Sequence, residues 1–286
     1  GFTTYFENRI MESISGRPYS EMLAQLSLQD LRSTVAELGD TSAITRLKLD
    51  MAGRDPDEGV SDIAYNKGAL FLRHLEESVG REAWDQFLRG WFDSNAFTSA
   101  TTEEFVTYLQ KRLIKGDVAF EQKLEIDAWI YKPGLPASLP VIASEEFAKV
   151  DAEVEKWKKG EKPEVLVVKG WTTHHWLHFL KALPQGLSVD QMVELDKAFR
   201  FTTSGNSEIL TVWLQRAIQS SYRKADASLE KFLTSQGRRK FLKLLYAELV
   251  KSPEGLARAK AIYAKARPTY HSVSSSTIDG ILGWEK

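Results

Sequence analysis

Apolar residues recur at three- and four-residue spacing along almost the whole chain, which predicts an all-α protein. Phe2, Phe6, Ile10 and Ile14 share one face of a first helix over 2–15, ended by Gly16 and Pro18. Met22, Leu23, Leu26, Leu31 and Val35 mark a second over 19–38. Residues 41–51 mix the patterns, and Leu47-Lys48-Leu49 reads as a short extended piece. Next comes a polar, turn-rich loop, Asp55-Pro56-Asp57-Glu58-Gly59-Val60, with Ser61 or Asp62 placed to cap the helix behind it. That helix carries Ala64, Gly68, Phe71, Leu72, Leu75 and Val79 on one face, and Gly80 ends it. The small residues at 64 and 68 let another backbone come close. Trp84, Phe87, Leu88 and Trp91 form a core stripe over 82–92. Thr101 and Glu104 spell a capping box ahead of Phe105, Val106, Leu109 and Leu113. A short helix over 121–131 buries Leu124, Trp129 and Ile130.

From Lys132 to Pro140, three prolines and a glycine rule out regular helix and predict a stiff linker. The expected division is a first domain over 1–132, a Pro-rich linker over 133–142 and a second domain over 143–286. Beyond the linker the stripes return. They are Phe147, Val150, Val154 and Trp157; then Trp176, Phe179 and Leu180; then Met192, Leu195 and Phe199. Leu210, Trp213, Leu214 and Ala217 follow, then Leu229, Phe232 and Leu233, then Phe241, Leu244, Leu245 and Leu249. Ser252-Pro253 opens a seventh helix through Tyr263, which Pro268 stops. Short, similar helices with short turns predict stacked helix pairs, a solenoid-like domain, although no strict sequence repeat is visible.

Composition narrows the classes. With 286 residues the chain can hold two cores. A formal net charge of −1 gives no global field toward nucleic acid or an anionic membrane. The absence of cysteine excludes disulfides, thiolate metal sites and a cysteine nucleophile, and leaves the compartment open between cytoplasm and periplasm. No apolar run approaches the roughly 18 residues that span a bilayer. The chain begins without methionine or leader, as if inside a helix, which reads as a fragment of a longer protein or else as a processed N-terminus.

Few patterns carry chemistry. His174 and His178 share a helix face, but the position after the first is His175, where a zinc-protease helix has its glutamate. A Thr-Thr-His helix start favours a capping or surface role for them. Serine-nucleophile elbows and phosphate loops are missing from the sequence. Tyr65 stands in the first turn of its helix, beside an acidic loop. There it either packs its ring with the hydroxyl in water, or points a hydrogen-bond donor into a cleft. In Gln236-Gly237-Arg238-Arg239-Lys240-Phe241, three cations open a helix and oppose its dipole. That is either a solvated basic turn or a positive surface presented to an anion, with arginine offering a fork for a carboxylate.

Four segments in order resemble one family. They are Ser61-Asp62-Ile63-Ala64-Tyr65-Asn66-Lys67-Gly68, then Asp127-Ala128-Trp129-Ile130-Tyr131-Lys132-Pro133-Gly134-Leu135-Pro136, then Asn206-Ser207-Glu208-Ile209, and the Gln236–Phe241 stretch. Together they resemble the zinc aminopeptidases of the leukotriene A4 hydrolase type along essentially the whole chain. The resemblance implies the helical C-terminal part of a thermolysin-like catalytic domain, followed by an armadillo-like helical domain. Gly1-Phe2-Thr3-Thr4-Tyr5-Phe6-Glu7 looks like the continuation of the segment bearing the family's third zinc ligand. By that resemblance the zinc histidines, general base and amine-binding glutamates lie in an N-terminal half absent from this sequence, and this chain alone is expected to bind no catalytic zinc and to be inactive.

Carried over by position, Tyr65 matches the tyrosine that donates to the oxyanion of peptide hydrolysis, a role suited to a neutral phenol. Asp57 matches an acidic residue of the substrate pocket. Arg238 matches the arginine that holds the substrate carboxylate, with Lys240 assisting. Glu7 would buttress a zinc histidine from behind. Val60 stands where the epoxide hydrolase has a second tyrosine, so the sequence gives no support to a specialised lipid activity. The implied substrates are short peptides, with neither nucleic acid nor membrane as partner. The rival expectation is non-enzymatic: a helical-repeat scaffold binding a protein, in which Tyr65 is packed and Arg238 lies elsewhere.

Overall fold

A stripe of apolar side chains on a short helix is stable only when it is buried against another stripe. The computed structural model describes residues 1–53 and 61–284, and among these the chain is helical, with no strand. It divides into two compact units, Gly1–Glu145 and Glu146–Lys286, each with its own hydrophobic core.

In the first unit α1 (Phe2–Ser15), α2 (Arg17–Leu38) and α3 (Asp62–Val79) pack on one another, and α4 (Arg81–Ser94) joins α3. A single glycine, Gly80 at φ 82°, separates α3 from α4, since a left-handed residue there turns the chain at little steric cost. Then follow α5 (Thr102–Leu109), a π turn over Gln110–Ile114, α6 (Val118–Leu124) and α7 (Ile126–Ile130). The capping box at the start of α5 forms in both directions: Thr101 Oγ1 accepts from Glu104 N, and Glu104 Oε2 accepts from Thr101 N.

The proline-rich segment is tied into this unit. Gly134 N donates to Thr45 Oγ1 at 2.8 Å, Ser138 N donates to Glu125 Oε2, and Ile142 is part of the first core.

The second unit holds α8 (Glu145–Lys158), α9 (Thr173–Ala182), α10 (Val189–Phe199) and α11 (Ser207–Gln219). It continues through α12 (Asp226–Ser235), α13 (Arg239–Leu249), α14 (Pro253–Ala266) and α15 (Ser272–Leu282). Packing skips one helix at a time. α9, α11, α13 and α15 lie side by side, and α12 packs on α14. That is the arrangement of stacked helix pairs expected of a solenoid.

Several local expectations shift. The helix expected over 121–131 is two helices, because Glu125 adopts a left-handed conformation (φ 47°) between α6 and α7. The stretch around Leu47 is bent rather than extended, with Lys48 N bonded to Ile130 O at 3.0 Å. On α1, Ile10 and Ile14 are 57% and 72% exposed, and the inward side chain is Tyr5. Ala64 is exposed as well. On α13, Leu242 is buried and Leu244 faces out. An eighth helix of the second unit, α15, lies beyond Pro268.

Gly68 fulfils the close approach expected of a small residue. A Cβ at Gly68 would lie 2.8 Å from the Cα of Gly1, so α1 and α3 meet backbone to backbone. Gly68→Ala should therefore lose about 1–3 kcal/mol of first-unit stability through overpacking. Denaturant unfolding checks this, and an unchanged midpoint would show that the two helices can part without cost.

Candidate active site

α3 begins where Ser61 accepts a hydrogen bond from Ile63 N at 3.4 Å, so the serine rather than Asp62 caps it. Tyr65 stands in this first turn and is 51% exposed, and among the described residues its hydroxyl has no hydrogen-bond partner. The ring is not packed away. One residue before it, Ala64 borders an apolar cavity of about 390 Å³, which Phe2, Leu47, Gly68, Trp91 and Phe105 help to line. Asp57 and Val60 lie outside the described residues.

Two residues after Tyr65, on the opposite face of α3, Lys67 is fully buried. Its Nζ donates to Thr45 O at 3.0 Å and to Lys132 O at 3.1 Å. Burial disfavours the ammonium and pulls its pKa down to about 8. Lysine is rarely buried so completely. Lys67 is quoted in the family motif above, yet nothing in its local pattern marks it as interior: flanked by Asn66 and Gly68, it reads as a surface lysine.

On α1, Glu7 is exposed and has no hydrogen bond or ion pair among the described residues. Its neighbour Tyr5 faces inward. The Tyr5 hydroxyl donates to Glu76 Oε2 at 2.6 Å and accepts from Arg9 at 2.9 Å. Burial, and then the Glu76 carboxylate, push the Tyr5 phenol well above the usual tyrosine range. Arg9 continues to Asp85 through two parallel bonds, and Arg81 joins Glu76 to Glu12. Tyr5, Arg9, Glu12, Glu76 and Arg81 help to wall a cavity of about 250 Å³ beside α1, α2 and α3, and both arginines face a carboxylate.

In the second unit the basic turn is held from both sides. Gln236 Nε2 reaches Ser207 Oγ at 3.5 Å on α11, and Ser274 Oγ on α15 donates to Gly237 O at 2.8 Å. Arg238 is then the N-cap residue of α13, with its carbonyl accepting from Phe241 N and Leu242 N. Arg238 and Lys240 both lie over the Phe241 ring, at 5.9 and 5.2 Å from its centroid. Lys240 also pairs with Glu208 at 2.6 Å. Glu208 sits behind Asn206, whose side chain accepts from Glu208 N and Ile209 N and so caps α11. The structure thus brings Arg238 and Lys240 together, while Tyr65 and Glu7 belong to the first unit.

The histidines serve the helices. His175 Nδ1 accepts from Thr172 N and its Nε2 meets Glu146, while His178 stacks on Phe147 and reaches Asp151 at 2.7 Å. Among the described residues no group of three histidine or acidic side chains is placed to hold a metal ion. The described residues therefore do not make up a zinc centre. Among them, too, no helix is long and apolar enough to cross a membrane.

Each of the two helical units, one bearing the half-exposed tyrosine and the other the fixed basic turn, matches a known family model. The description "Peptidase family M1 domain" matches residues 1–128, and "Leukotriene A4 hydrolase, C-terminal" matches 171–282. In its first unit the chain is thus similar to the M1 peptidases, and in its second to the C-terminal domain of leukotriene A4 hydrolase. It is 27% identical over 282 residues to leucine aminopeptidase 2 of Ajellomyces capsulatus, covering 96% of this chain and 45% of that protein. Leucine aminopeptidase 2 of Coccidioides immitis is 28% identical, with 100% and 47% covered. A leukotriene A-4 hydrolase homolog of Botryotinia fuckeliana is 27% identical, with 98% and 44% covered. The chain spans about half the length of these curated relatives. In fold it is similar to yeast LTA4 hydrolase in complex with bestatin, with a TM-score of 0.87 at 22% identity over 98% of this chain and 49% of that one.

Because burial lowers the Lys67 pKa, the unfolded chain holds this proton more tightly than the folded one. The burial penalty acts in full below pH 8 and is relieved as pH rises from about 8 toward the ordinary lysine value. Wild-type stability should accordingly climb relative to Lys67→Met across that window. Paired urea titrations at pH 7 to 10.5 measure the difference, and a flat difference would contradict the assignment.

Proposed function

We propose that this chain is the C-terminal half of a zinc metallo-aminopeptidase that removes N-terminal residues from short peptides. The observation that carries the reading is Tyr65: a half-exposed phenol on the capped first turn of α3, inside the stretch that matches the M1 peptidase domain. The likeness to leucine aminopeptidases supports this substrate class. Zinc enters through the resemblance to the M1 peptidases, with its ligands on a portion outside this chain.

The residues of this chain have separate tasks. The Tyr65 hydroxyl donates to the carbonyl oxygen of the scissile peptide, and this bond strengthens as negative charge gathers on that oxygen in the tetrahedral state. A phenol suits the task because it is a neutral donor at physiological pH. Arg238 holds the free carboxylate of a short peptide through its fork of N–H groups. Serines on α11 and α15 pin its turn, which reduces the entropy lost on binding. Lys240, fixed by Glu208, adds positive charge beside it. Asp57 contributes an acidic group to the substrate pocket. Glu7 acts from behind a metal-binding histidine of the other half. The exposed Ile10 and Ile14 on the same helix give that other half an apolar surface to cover. Epoxide hydrolysis is the less supported branch of this reading, since Val60 replaces a second tyrosine.

In the enzyme assembled from both halves, Tyr65→Phe should lower kcat about 100- to 1,000-fold with KM nearly unchanged, as for loss of one oxyanion donor. Arg238→Ala should lower kcat/KM on tripeptides about 10- to 100-fold and act far less on substrates whose C-terminus is amidated. Steady-state kinetics on a tripeptide and its amide read both, and wild-type behaviour of the two variants would end this assignment.

A further inference from the structure

The placement of Lys67 has a use that packing alone does not explain. Its ammonium is the only charged group of α3 that is wholly shielded from solvent among the described residues, and its two acceptors are backbone carbonyls. Those carbonyls come from two segments far apart in sequence, at Thr45 and at Lys132. A second contact joins the same two segments: Thr45 Oγ1 accepts from Gly134 N at 2.8 Å and donates to Ser42 O at 2.7 Å. A third is Lys48 N to Ile130 O. Gly134, at φ 72°, packs its Cα so closely that a Cβ would lie 2.8 Å from Asp40 O. One ammonium therefore stitches the start of α3 to a knot formed by residues 40–48 and 130–134.

Tyr65 rides on the same turn. Two helical residues are separated by roughly 200° around the axis, so the phenol leaves α3 on the side away from the ammonium. Among the described residues, the Ser61 cap and the Lys67 bonds are the polar side-chain contacts that tie this turn down. A hydroxyl that must meet an oxyanion within a few tenths of an ångström needs its helix turn held from behind.

We propose that Lys67 is a positioning residue for Tyr65: its buried ammonium, bound to the Thr45 and Lys132 carbonyls, fixes the first turn of α3 and so the direction of the phenol. Lys67 touches no substrate in this arrangement. The inference rests on the reading of Tyr65 as oxyanion donor, and it adds the group that aims it.

The chain contains no cysteine, which allows a clean test. Lys67→Cys can be alkylated in urea with 2-bromoethylamine, which rebuilds a lysine-length ammonium, or with 1-bromopropane, which builds a neutral side chain of similar length. Both are refolded beside wild type and Lys67→Met, with 3-fluorotyrosine in place of tyrosine. The Tyr65 fluorine signal is assigned by its loss in Tyr65→Phe. The expected result is a shifted and broadened Tyr65 signal in Lys67→Met and in the propylated chain, with the Tyr222 and Tyr246 signals unmoved. The aminoethylated chain should regain the wild-type signal, and amide exchange at Lys48 should slow again by about tenfold. An unchanged Tyr65 signal in Lys67→Met overturns the proposal. So does equal recovery by the propyl group, which would assign the effect to packing, or failure of the aminoethyl group to restore the signal. Should Lys67→Met not fold, the two alkylated chains decide the matter.

In the assembled enzyme Lys67→Met should lower kcat about 10- to 100-fold while KM changes little. If Tyr65→Phe keeps full turnover, the catalytic reading of Tyr65 fails, whereas the fluorine result on this chain still reports whether Lys67 aims it.

Discussion

Moving an ammonium out of water costs free energy, and the first unit accepts that cost at Lys67. Two carbonyls offset part of it, and the depressed pKa is the sign of the part that remains. The gain is connectivity. A helix as short as α7 and a stretch such as 40–48, with a single 3-10 turn, have little regular hydrogen bonding of their own. A buried donor with three N–H bonds can hold several backbone segments at once, which an apolar side chain cannot do. The proline-rich stretch after α7 is anchored by this knot, and so belongs with the first core for at least part of its length.

The second unit solves a different problem. Helices of 10 to 14 residues are marginal alone, so stability comes from burying their stripes against one another, as α9, α11, α13 and α15 do in series and α12 does on α14. At the turn before α13, three cations stand at the wrong end of the helix dipole. The structure offsets this locally, with Phe241 beneath Arg238 and Lys240 and with Glu208 beside Lys240. A basic turn that is pinned by Ser207 and Ser274 rather than left free is suited to meeting an anion with little loss of entropy.

The two tyrosines of the first unit divide the chemistry between them. Tyr5 is locked into a network with Glu76, Arg9 and Arg81, and the same burial that raises its pKa removes it from contact with any substrate. Tyr65 has its ring half in solvent and its hydroxyl uncommitted among the described residues. Local sequence does not separate them, since both lie in the first turns of amphipathic helices.

Hydrophobic spacing and capping residues were enough to place nearly every helix, because a 3.6-residue stripe and a Ser, Thr or Asn cap act within one turn. The Thr101–Glu104 box, the Ser252-Pro253 start and the Gly80 stop are legible for that reason. The motif around Tyr65 and the Arg238 turn could also be found in the sequence, as short strings of unusual residues. What tertiary contact alone decided is which face of each helix is covered. Ile10, Ala64 and Leu244 turn outward and Tyr5 and Leu242 inward, because the neighbours that settle it lie tens of residues away. The interior place of Lys67 was decided in the same way: its two carbonyls are 22 and 65 positions distant, and no local rule predicts them.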